Sequence, residues 1–164
     1  MRYISLILIA VLTVACTSAA SVPEALGAEH PEARLFDPDP ALVAQTTVDE
    51  ALAEATVSGK RAIIVMGANW CHDSRALAGW FQTPRFQSLL TENFVVRYID
   101  VAQKNRNIDV AQRFGLDEIV GTPTIFVTNS SGDVLNLETA PTWRNAASRT
   151  EDDIFDYFSN YIGE

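Results

Sequence analysis

The chain predicts an α/β domain, a three-layer sandwich with a mixed central sheet and helices on both faces. Three observations carry this. Segments of helical period alternate with short apolar runs along residues 46–164. One run, Ala62-Ile63-Ile64-Val65-Met66, is apolar throughout, the pattern of a strand buried on both sides. A turn sequence, Asn129-Ser130-Ser131-Gly132-Asp133, separates the last two runs, so helical crossovers give way to a hairpin.

The elements follow in order. Thr47-Val48-Asp49-Glu50 has the spacing of a capping box. Val48, Ala51, Leu52 and Ala55 then recur at helical intervals, and Gly59 closes the helix. After the central strand and Gly67, a second helix carries Ala76, Leu77 and Phe81 inward. It stops near Thr83, because Pro84 disfavours helical geometry in the residue before it. A further helical piece, Arg85 to Thr91, brings Phe86, Leu89 and Leu90, and Phe94 to Ile99 is the next strand. Asn107 to Phe114 reads as a short helix closed by Gly115. Thr124 to Thr128 is a strand, with Val134 to Leu137 as its hairpin partner. The last helix begins at Thr150, with Glu151, Asp152 and Asp153 at the positive end of its dipole. Its apolar stripe is Ile154, Phe155, Phe158, Tyr161 and Ile162. Trp143 reads as an anchor over the sheet, Trp80 and Phe81 as packing, and Lys104-Asn105-Arg106 as a solvated basic loop.

Upstream of the domain the pattern changes. Residues 1–20 read as a targeting segment: Arg2 is followed by the apolar stretch Ile4 to Val14, too short to span a bilayer but suited to a signal peptide. Two processing sites compete. Val14-Ala15-Cys16 resembles a bacterial lipobox, which would leave Cys16 as a lipidated N-terminus, although Thr13 stands where an aliphatic residue is usual. Ser18-Ala19-Ala20 resembles an ordinary signal peptidase site. Retention as an anchor is the third outcome. Export to the periplasm is the expectation, and with lipidation Thr17 points to the outer membrane. Residues 21–45, interrupted by Pro23, Pro31, Pro38 and Pro40, read as a flexible tether, which leaves residues 46–164 for one core. The formal net charge of −9 disfavours nucleic acid and anionic lipid as partners. No phosphate-cradling Gly-rich loop appears and no cofactor is expected. With His30 and His72 the only histidines, no metal site is expected.

The chemistry-bearing feature is Asn69-Trp70-Cys71-His72-Asp73-Ser74, between the central strand and a helix. A cysteine at a helix N-terminus meets unpaired N–H groups and the positive end of the dipole, which favour the reactive thiolate. Once the leader is removed or Cys16 is lipidated, Cys71 is the last free thiol.

These residues resemble the thioredoxin superfamily, in particular bacterial exported thioredoxin-like proteins with a CxxS site. The match rests on Trp70-Cys71-His72-Asp73-Ser74 after a buried strand, and on Val120-Gly121-Thr122-Pro123-Thr124 before a later one. The interval from Cys71 to Pro123 also suits that family. The resemblance implies that Cys71 is the nucleophile and Pro123 a cis-proline, with Thr122 beside the sulfur to bind an extended client by strand addition. Two departures stand out. Ser74 replaces the resolving cysteine, and Val65 replaces the buried carboxylate that would serve it.

The expected chemistry is monothiol exchange: mixed disulfides with cysteine-containing or disulfide-bonded envelope proteins, resolved by an external thiol or reductase, or by another client cysteine. Reduction of sulfenic or glutathionylated cysteines is a related outcome. Ser74 could donate a hydrogen bond to the thiolate, protonated His72 would favour the anion, and Asp73 would oppose it. Trp70 reads as an exposed platform. Two readings compete with exchange: a redox-silent client- or peptide-binding module, and peroxidase-like chemistry. The peroxidase would need a Thr or Arg arranged around the sulfur; Arg75 is near in sequence but is expected to face solvent.

Overall fold

The computed structural model describes residues 30–162. The targeting segment 1–20, Cys16 and residues 21–29 of the expected tether lie outside the described residues. The elements are α1 (Ala44–Ser58), β1 (Arg61–Gly67), α2 (His72–Phe81), α3 (Pro84–Asn93), β2 (Phe94–Asp100), α4 (Ile108–Arg113), β3 (Thr124–Val127), a 3-10 segment (Ala140–Ser148) and α5 (Glu151–Ser159).

The sheet order is β2-β1-β3, with β1 parallel to β2 and antiparallel to β3. Central β1 is fully buried from Ala62 to Met66, and its alternating side chains serve two cores. Ile63 and Val65 pack with Leu77, Phe81, Phe86, Trp143 and Phe158 on one face. Ala62, Ile64 and Met66 pack with Val48, Ala51, Ala55, Val110 and Phe114 on the other. The three-layer α/β class is therefore observed.

Three departures have physical causes. First, the second arm of the hairpin forms a single bridge, Thr128 to Val134. Leu135 N–H still donates to Val127 O at 2.8 Å, after which the side chain of Asn136 takes over the ladder. Its Oδ1 accepts from Val127 N–H at 2.8 Å and its Nδ2 donates to Ile125 O at 2.8 Å. Asn136 is 4% exposed and caps the edge of β3 in place of a strand. Freed from pairing, the chain turns into the 3-10 segment, which seats Trp143 in the core. There Trp143 stacks on Phe158 with ring centroids 5.1 Å apart.

Second, α1 begins a turn before the capping box. Its N-cap is Val43, without a side-chain cap, and the turn before it is held by Asp39, whose carboxylate accepts from Ala41 N–H and whose carbonyl accepts from Leu42 N–H. The early start adds buried Ala44 to the stripe of Val48, Ala51 and Ala55. Thr47 lies inside the helix and donates to the Val43 carbonyl. The box forms instead at α5, where Asp153 N–H donates to Thr150 Oγ1 and Thr150 N–H to Asp153 Oδ2.

Third, the described part of the expected tether, residues 30–45, packs on the domain. Phe36 is 1% exposed and lies in the core, with Tyr98 edge-on to its ring. Ala33 N–H donates to Arg75 O at 3.0 Å. Glycine makes this docking possible: a Cβ on Gly79 of α2 would lie 2.1 Å from the carbonyl oxygen of Pro31. Alanine would be the better helix former at that position, so close approach is what Gly79 provides. In the loop after β2, Arg106 is not a solvated cation. It pairs with buried Asp100 at 3.2 Å and donates to Pro38 O at 2.8 Å. Ile162 stays 39% exposed, outside the stripe of α5.

Candidate active site

Cys71 is the N-cap of α2, at the C-terminal end of central β1, where the strand leaves the sheet and the helix starts. Its N–H donates to Ala68 O at 3.1 Å, and its carbonyl accepts from Arg75 N–H at 3.1 Å. The thiol donates to the Thr122 carbonyl oxygen at 3.2 Å. The Thr122–Pro123 peptide is cis. Residues distant in sequence thus meet at one atom, because β3 runs antiparallel beside β1 and brings the loop before it to the start of α2.

Cys71 is 8% exposed as a residue and counts among the buried ones. Trp70 is 49% exposed, with its indole N–H fixed on Ala102 O at 2.7 Å, and Val120 is 46% exposed. A flat ring locked by a hydrogen bond costs little entropy when something docks on it.

Ser74 does not reach the sulfur. It is fully buried, and its hydroxyl accepts from Ala68 N–H at 3.4 Å. A Cβ on Gly67 would meet Ser74 Oγ at 2.7 Å and the Phe36 ring at 2.6 Å, so Gly67, Ser74 and Phe36 close together beneath the site. Asp73 faces the 3-10 segment, where its carboxylate accepts from Ala147 N–H at 2.9 Å. Its role is to tie the first turn of α2 to the segment that holds Trp143. Val65 is entirely enclosed in the core.

Sequence reasoning missed the residues that hold the turn in place. Asn69 pairs with the Phe36 backbone in both directions, accepting from its N–H at 3.3 Å and donating to its carbonyl at 2.6 Å. Arg75, expected to face solvent, donates to the carbonyls of Asn69 and Trp70 at 3.1 and 3.2 Å and to Glu32 at 2.9 Å. The guanidinium is spent on the turn rather than on the sulfur. Arg144 lies over the cis-proline loop, its side chain 2.9 Å from where a Cβ on Gly121 would be. The contacts with Phe36, Glu32 and the cis-proline loop left no local signal, since they join segments that only the fold brings together.

His72 is exposed at the first position of α2, and His30 and Glu32 reach it from the docked N-terminal segment. The His72 Nε2 to Glu32 Oε1 distance is 3.3 Å, and the His30 and His72 ring centroids are 4.6 Å apart. The Arg75 hydrogen bond holds the Glu32 carboxyl below the usual carboxylate range, against a smaller opposing effect of burial.

The family model described as thioredoxin-like matches residues 43–130. Among solved structures, the chain is similar to one described as the disulphide isomerase from Xylella fastidiosa Temecula1. Identity is 32%, the match covers 76% of this chain and 95% of that one, and the TM-score is 0.70. No curated protein matches the chain. With the buried strand, the cysteine-capped helix and the cis-proline loop in their expected order, the chain belongs to the thioredoxin-like family.

Proposed function

We propose that the protein is an exported monothiol thiol–disulfide exchange protein acting through Cys71. The observation that carries the reading is the contact of the Cys71 sulfur with the residue before cis-Pro123, with Ser74 where a second sulfur would stand. The thiolate attacks one sulfur of a client disulfide. A Cys71–client S–S bond forms, the client S–S bond breaks, and the displaced client sulfur leaves as a thiolate that takes up a proton. Lacking an internal resolving thiol, the adduct is released by another client cysteine, which completes an isomerisation, or by an external thiol, which completes a reduction. The similarity to a protein described as a disulphide isomerase supports the isomerisation route, since that route needs one nucleophile only.

Trp70 and Val120 supply the apolar surface for an extended client segment beside the sulfur. A second reading, a redox-silent client-binding module, draws on the small exposure of Cys71 and the engagement of its thiol by the Thr122 carbonyl. The two readings differ in whether a covalent bond forms. Wild-type protein incubated with cell-envelope extract and quenched with an alkylating agent should carry adducts that reductant releases, whereas Cys71→Ala should carry none. Non-reducing electrophoresis with mass spectrometry of the released partners is the measurement. An equal, reductant-insensitive set of partners from both proteins would favour the silent module.

Export is part of the same reading, because client disulfides persist in oxidising compartments. We expect Cys16 to be lipidated. Labelled fatty acid should enter the wild-type chain and not Cys16→Ser, and a soluble periplasmic wild type without label would establish plain cleavage.

A further inference from the structure

We propose that His30, Glu32 and His72 form a binding site for a divalent transition-metal ion of the zinc class. One ligand-capable atom from each of the three lies within 4.8 Å of the others. Four-coordinate zinc with bonds of about 2.0–2.2 Å places its ligand atoms about 3.4 Å apart. The His72 Nε2 to Glu32 Oε1 distance of 3.3 Å already has that value. Bringing His30 into the shell needs a contraction of about 1.4 Å at most, within reach of rotations of half-exposed side chains.

Each member has an atom to spend. Arg75 takes the second carboxylate oxygen, Oε2, at 2.9 Å, which orients Glu32 and leaves Oε1 for a ligand, the outer-shell arrangement common around metal sites. The Nδ1 of His30 is buried and has no hydrogen-bond partner among the described residues. An ordinary His72–Glu32 ion pair would account for neither that unspent nitrogen nor the approach of the second imidazole. His72 and Glu32 have side chains 58% and 38% exposed, so an ion can enter from solvent. Two imidazoles and one carboxylate suit zinc, copper or nickel better than magnesium or calcium, which prefer all-oxygen shells. Three protein ligands leave a fourth position open for water or a client group.

The site clips the N-terminal segment to the first turn of α2 next to Cys71, yet it does not depend on the exchange reading. The test uses the full chain carrying Cys16→Ser and Cys71→Ser, which removes both thiols as ligands and makes the outcome independent of any thiol chemistry. Zn²⁺ is titrated in competition with a chromophoric zinc indicator, with Mg²⁺ in excess as the control for hard cations. One equivalent should bind, unaffected by Mg²⁺. His30→Ala, Glu32→Gln and His72→Ala should each weaken binding by about tenfold or more, with circular dichroism unchanged from the parent. Failure to take zinc from the indicator would overturn the proposal. So would undiminished binding after loss of either histidine, or displacement by Mg²⁺.

Discussion

Replacing Phe36 with alanine is expected to destabilise the protein by about 3–5 kcal/mol, the cost of removing a buried aromatic ring from a packed core. The ring is 1% exposed, stands edge-on to Tyr98, and covers the bare backbone of Gly67 on the central strand. The hole would open directly beneath the Cys71 turn, since Asn69 grips the Phe36 backbone from that turn. Urea denaturation should show a lower midpoint with an unchanged slope. A variant as stable as wild type would show that residues 30–36 contribute no net stability, as a flexible tether would. Phe36→Leu, which keeps most of the buried volume, should recover most of the loss.

Asn136→Leu is expected to cost about 3 kcal/mol, although it places an apolar side chain in an apolar setting. The loss comes from two backbone groups of β3, the Val127 N–H and the Ile125 carbonyl, which would remain buried without partners at about 1–3 kcal/mol each. The amide also donates to the Tyr157 hydroxyl at 2.9 Å, so the change loosens α5 as well. Aspartate should not rescue the fold: its carboxylate accepts from Val127 N–H but faces the Ile125 carbonyl with no donor. Equilibrium denaturation of the two variants is the check. A loss below about 1 kcal/mol would mean that residues 134–137 re-form the paired strand their composition suggests, restoring both bonds through the backbone.

The fold class was legible because it rests on local signals. The uninterrupted run from Ala62 to Met66 can be satisfied only by apolar cover on both faces, and the helices packed on either side of the sheet provide it. The break before Pro84 and the close at Gly59, where φ is 68°, follow from single-residue backbone preferences. The second hairpin arm was misread for the opposite reason. Val134-Leu135-Asn136-Leu137 has strand-like composition, but one side chain that imitates a peptide group satisfies the edge of β3 more compactly than a further run of backbone.

The site divides along the same line. Cys71, Ser74, Thr122 and Pro123 could be named from their motifs, because sequence order and a short interval carry that information. Sequence alone determined which atom is the nucleophile candidate and that no second sulfur follows it at Ser74. Tertiary structure decided everything that depends on a meeting of distant segments: the Thr122 carbonyl at the sulfur, Ser74 turned away into the core, and Arg75 spent on the turn. It also turned an expected tether into a strap that brings Glu32 and His30 to His72. Periodicity reports the free energy a segment gains by burying its own face. The proline-punctuated stretch before Ala44 has no such face, and its one buried ring and its hydrogen bonds take their value only from the partners the folded chain supplies.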